Sequence, residues 1–166
     1  MRLPILTEPN PILASATVDV RDFDEELKEL VHEMFETMYG SGGAGLAAPQ
    51  VGHLLSIFVA HWSVEDGPVC MVNPVIVSSS GSSRDTEGCL SLPGLNAPID
   101  RAASVTVSWK DLDGEDQTRT FKGLGARVIQ HEIDHLLGRT LLDLVSRQIK
   151  RHYLRTERKR RKSLTV

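Results

Sequence analysis

The segment Gln130-His131-Glu132-Ile133-Asp134-His135-Leu136 constrains this chain more than any other. It reads H-E-x-x-H, and on an α-helix residues four apart share a face, so both imidazoles can reach one metal ion. Glu132 then projects beside that ion, able to accept a proton from a water. The flanking Ala126, Val128, Ile129, Leu136 and Leu137 are apolar, so the helix they define, Lys122 to Leu137, is expected to be buried. Two histidines, a glutamate and an aspartate in a buried helix are costly without partners. Chance yields this pattern in roughly one chain in several hundred. A metal site is the reading these residues favour. The remaining histidines, His32, His53, His61 and His152, stand alone and receive no catalytic assignment.

Catalytic sites of this kind join three protein ligands to one open position. A longer HExxHxxGxxH pattern is excluded, because Leu141 stands where its last histidine belongs. The only downstream glutamate, Glu157, sits inside a basic tail and is a poor candidate. The cysteines and upstream carboxylates remain. Cys70 lies in the apolar run VCMVNP and reads as a small buried hydrophobe. Cys89 lies in Glu87-Gly88-Cys89-Leu90-Ser91, among glycine, carboxylate and hydroxyl groups. A thiolate there would complete a Cys-His-His set with one position open to water.

The rest of the chain mixes helix and strand. Phe23 to Tyr39 carries apolar residues at three- and four-residue steps, with Asp22 or Asp24 able to cap its start and Gly40 to stop it. A small-residue loop, Ser41 to Gly52, follows. Ser56 to Trp62 and Val69 to Val77 read as strands. Ser104 to Trp109 alternates with period two, and Asp113-Gly114 turns it toward a partner near Arg119 to Phe121. A last helix is expected from Val145 onward. This pattern indicates an α+β fold.

At 166 residues, 40% hydrophobic and 25% charged, the chain fits one globular domain that needs no disulfide scaffold. Two cysteines favour a reducing compartment, and no apolar run resembles a signal peptide or a membrane span, so a cytoplasmic location is expected. The loop Gly43-Ala44-Gly45-Leu46-Ala47-Ala48-Pro49-Gln50 superficially matches a dinucleotide fingerprint. It follows a helix rather than a strand, and Pro49 blocks the helix that should come next, so the match is rejected. Its glycines can admit a peptide backbone, and Gln50 offers an amide donor suited to an oxyanion.

Taken together and in order, GAGLAAPQ, EGCLS and QHEIDHL resemble the three motifs of the peptide deformylase family, in the form seen in its bacterial type I members. ETMY, VNP and GLGARVIQ extend the likeness over roughly residues 3 to 145. The resemblance implies antiparallel β-sheets surrounding a central helix that carries the HExxH motif, with residues 1–145 as catalytic domain and 146–166 as a basic C-terminal helix. It makes Cys89, His131 and His135 the ligands of one divalent metal ion, typically iron(II) with zinc, nickel or cobalt as substitutes. Glu132 becomes the general base, and Gln50 and the Leu90 N–H the oxyanion donors. Gly43, Ala44, Gly45 and Gly88 fall where the family binds peptide backbone. Leu92, Leu124 and Val128, with Ala44, fall around the methionine pocket. The implied reaction removes the formyl group from N-formylmethionyl nascent peptides. Gly125 and Ala44 replace residues that are commonly larger, which is expected to enlarge the pocket, and Asn96 replaces a more usual aromatic.

The net charge of −3 conceals a division. Residues 144–166 hold nine Lys/Arg and one acid, a net +8, leaving −11 on the other 143 residues. Arg147, Arg151, Arg155, Arg158 and Lys162 form a basic stripe if helical. A fraying solvated helix is the bland account of it. Contact with ribosomal RNA is the functional one, as in some family members. No membrane attachment is expected, and the chain is read as a monomer. An HExxH peptidase or an RNA-binding protein with a structural metal are the rival classes. The missing third histidine opposes the first, and Glu132 beside an open coordination position opposes the second.

Overall fold

The computed structural model describes residues 1–165. Its elements are α1 (Glu25–Gly40), β1 (Gly45–Ala47), β2 (Ile57–Ala60), β3 (Val69–Ser80), β4 (Ser83–Cys89), β5 (Leu92–Arg101), β6 (Ser104–Lys110), β7 (Asp116–Lys122), α2 (Gly123–Leu136), α3 (Leu141–Leu144) and α4 (Arg147–Leu164). A 3-10 turn at Ala48–Val51 follows β1. The strands build a five-stranded antiparallel sheet, ordered β1-β2-β3-β6-β7, and a separate β4–β5 hairpin.

Strand alternation decides the layering. All four residues of β2 are buried, so it needs cover on both faces. Ile57 and Val59 join Leu46, Val72 and the α1 residues Leu27, Leu30, Val31, Met34 and Met38. Phe58 and Ala60 join Met71, Val105, Val107, Phe121 and the α2 residues Ala126, Ile129, Ile133 and Leu136. The sheet is therefore held between two helices, each buried large side chain contributing about 1.5–3 kcal/mol. The hairpin bonds to α2 through Arg127 and Asp134, so α2 is enclosed between sheet and hairpin. The α+β architecture with a central HExxH helix is thus present.

A third cluster joins Leu92, Leu95 and Ile99 of β5 to Leu141, Leu142 and Tyr153, docking α4 on the hairpin. Asp24, not Asp22, caps α1: its side chain accepts the Leu27 N–H at 3.0 Å. Cys70 lies in β3 and packs against the α1 cluster, and burial pushes its thiol up to about 12, the behaviour of a small inert hydrophobe.

Candidate metal centre

Helical spacing and an adjoining strand end bring the three ligand candidates together. His131 and His135 lie one turn apart on α2, and Cys89 ends β4. Their ligand atoms all lie within 4.8 Å of one another. Cys89 Sγ stands 3.4 Å from His135 Nε2, close to the roughly 3.5 Å that separates S and N donors on one tetrahedral ion. The donor set of one thiolate and two imidazoles suits a divalent transition metal.

The electrostatics also favour a cation at this point. Burial, with repulsion from His131 and Arg101, pushes His135 down to about 3, leaving a neutral imidazole ready to ligate. At His131 burial acts downward, but Cys89, Glu87 and Glu132 outweigh it and draw the group up to about 10. The pull these groups exert on a proton is the pull they would exert on a metal. His135 Nδ1 is buried and has no hydrogen-bond partner among the described residues.

Glu132 is 3% exposed, and among the described residues its Oε2 has no hydrogen-bond partner. Burial chiefly raises it to about 7, so the carboxylate is basic enough to take a proton near neutrality. Gly45 of β1 approaches it so closely that a Cβ there would collide with the Glu132 carboxylate. Gln50 is locked from the other side. Its Oε1 accepts the Ala47 N–H at 2.9 Å, which orients its NH₂ toward Ser91 Oγ at 3.1 Å and Cys89 Sγ at 3.7 Å.

A pocket of about 390 Å³ opens over these groups. Gly43, Ala44, Gly45, Gln50, Gly88, Cys89, Leu90, Leu92, Leu124, Val128, His131 and Glu132 all line it. Of the candidate ligands, catalytic groups and substrate-binding residues named from the sequence, His135 does not reach the wall, being 1% exposed. Asn96 lines the pocket, whereas Gly125 is not among the lining residues. A Cβ on Gly125 would stand 2.8 Å from Trp62, so that glycine admits the indole and does not enlarge the pocket.

Sequence reasoning missed what holds His131. Its Nδ1–H donates to Glu87 Oε1 at 2.9 Å. Glu87 also accepts from Arg101 Nε and Nη2, both at 2.9 Å, and from Arg127 Nη1 at 2.6 Å. Arg101 reaches on to Asp134. Burial alone would raise the Glu87 carboxyl, but the bonds from Arg101 and His131 hold it down at about 2. The network fixes the His131 tautomer and presents Nε2 to the site. Only the acid in EGCLS hinted at it, since Arg101 lies in a segment with no recognisable motif and nothing local in GLGARVIQ points Arg127 at Glu87.

A buried helix with an HExxH pair, a thiol from a neighbouring strand and an unpartnered glutamate in a pocket define a mononuclear metallohydrolase centre. The sequence model of polypeptide deformylases matches residues 2–151. A peptide deformylase from Dictyoglomus thermophilum is 47% identical over 134 residues, covering 81% of this chain and 86% of its own. One from Chlorobaculum tepidum is 40% identical over 156 residues, covering 91% and 83%. The crystal structure of a peptide deformylase from Legionella pneumophila superposes with a TM-score of 0.91 at 38% identity over 98% of each chain. The chain belongs to the polypeptide deformylase family, whose members are metal-dependent hydrolases.

Proposed function

We propose that the chain removes the formyl group from the N-terminal formyl-methionine of newly synthesised polypeptides, releasing formate, with Cys89, His131 and His135 holding one divalent ion. The observation that carries this reading is the meeting of those three ligand atoms within 4.8 Å beside the unpartnered Glu132 Oε2. Cys89, His131 and His135 would hold the ion, which when bound would supply an acidified water and polarisation of the formyl carbonyl. Glu132 accepts the water's proton and returns it to the departing amine. Gln50, its amide oriented by Ala47, donates to the developing oxyanion, and the Leu90 N–H is the second donor.

The substrate backbone runs past Gly43, Ala44, Gly45 and Gly88, where absent or small side chains leave room. The methionine side chain enters among Ala44, Leu92, Leu124 and Val128. Iron(II) is the proposed ion, and the same donors accept zinc, nickel or cobalt. Formate release from a formyl-methionyl peptide, compared across protein loaded with each ion, tests both readings. Turnover fastest with iron(II) is expected, and no turnover with any ion would refute the activity.

Residues 1–145 are read as the catalytic domain and 146–166 as a basic helix appended to it. Exposed Arg158, Lys159 and Lys162 on α4 support contact with ribosomal RNA phosphates. No helix of the described residues is long and apolar enough to cross a membrane. A monomer acting in the cytoplasm completes the reading.

A further inference from the structure

A broad concavity lies between α4 and the Pro93–Asn96 stretch of β5, a groove of about 1200 Å³. Gly94, Leu95 and Asn96 line both this groove and the catalytic pocket, so the two adjoin along β5. Leu95, Ile149 and Tyr153 give it an apolar floor, and the Tyr153 hydroxyl donates to the Pro93 carbonyl at 3.1 Å, fixing helix to hairpin. Arg147, Arg151 and Arg155 line the same groove and are exposed. Further along α4, Arg160 and Arg161 pair with Glu157. Among the described residues Arg147, Arg151 and Arg155 have no such acidic partner.

The spacing is informative. Residues four apart on a helix rise about 6 Å, close to the roughly 6.6 Å between alternate side chains of an extended peptide. Side chains two apart on an extended chain can therefore meet successive arginines. The rest of the protein carries −11, so an acidic peptide is repelled elsewhere and drawn to this strip. An apolar floor next to the catalytic pocket suits a peptide better than a phosphate backbone.

We infer that this groove takes the downstream residues of the peptide substrate and favours acidic side chains there. The inference rests on the deformylase reading of the adjoining pocket. The test uses metal-loaded full-length protein and fluorescent product peptides, Met-Ala-Ser followed by about six residues, with Asp or Lys at alternate positions. By anisotropy at low salt the Asp-tailed peptide should bind at least about fivefold more tightly than the Lys-tailed one. The gap should close as salt is raised. The variant Arg151→Glu/Arg155→Glu, altered only at exposed positions, should invert the preference. Equal affinity for the two tails, or a preference that survives the double variant, overturns the inference. A single-stranded RNA of matched charge that displaces the Asp-tailed peptide at equal concentration also overturns it, and reassigns the groove to RNA. Turnover of amidated formyl-Met-Ala-Ser, which carries no charge, is followed on the same preparations. Its absence refutes the deformylase reading, whereas its persistence beside equal tail affinities refutes the groove alone.

Discussion

Glu87→Gln isolates the network behind the metal centre. The side chain is 6% exposed and accepts two hydrogen bonds from Arg101, one from Arg127 and one from His131. Glutamine keeps the shape but loses the charge, and its NH₂ points donors at groups that themselves donate. Two buried guanidinium groups then face a neutral amide. Breaking a buried pair in this way costs about 3–5 kcal/mol. Arg101 keeps its bond to Asp134, which places the expected loss near the lower end, about 3 kcal/mol. For a chain of this length that is a fall in Tm of about 6–12 °C. His131 also loses the acceptor that orients it, so metal affinity should drop about 10–100-fold. Thermal melts followed by circular dichroism read the first effect, and competition with a chelator reads the second. Arg84→Met is the control. It breaks only the Arg84–Asp100 pair, whose side chains are 61% and 64% exposed, and should cost less than about 1 kcal/mol. A Glu87→Gln protein that melts within about 2 °C of the parent and binds metal equally well would refute the reasoning.

Gln50→Ala should lower kcat by about 10²–10³-fold through loss of one oxyanion donor, and equal turnover of a formyl peptide would end that assignment. Cys89→Ala should emerge from dialysis without metal, and unchanged occupancy would exclude the thiol as a ligand. Gly45→Ala should displace the Glu132 carboxylate and lower kcat at least about tenfold, and full activity in steady-state assays would show that the close approach of β1 is unimportant.

Legibility followed locality. The HExxH helix could be read because its two histidines, its glutamate and its apolar stripe lie within one segment. The β4–β5 hairpin could not, because Pro93, Gly94 and Pro98 break the strand pattern of β5 although Leu95, Ala97 and Ile99 alternate inward. Glu87 was visible as an acid beside Cys89, but its partners Arg101 and Arg127 come from a different strand and from α2, 14 and 40 residues away. Gly125 was misjudged for a geometric reason. Leu124, Val128 and His131 share the pocket face, while Gly125 falls in line with Ile129 and Ile133, which face the sheet. The small-residue loop concealed β1, a strand of only three residues.

Formate release by the iron(II)-loaded protein, prepared without oxygen and set beside its Glu132→Ala variant with metal content determined for both, is the most direct test. Release by the parent, and a variant that keeps its metal but loses nearly all turnover, is the predicted result. A variant that still turns over, or a parent that cleaves unformylated peptides and releases no formate, would contradict the account.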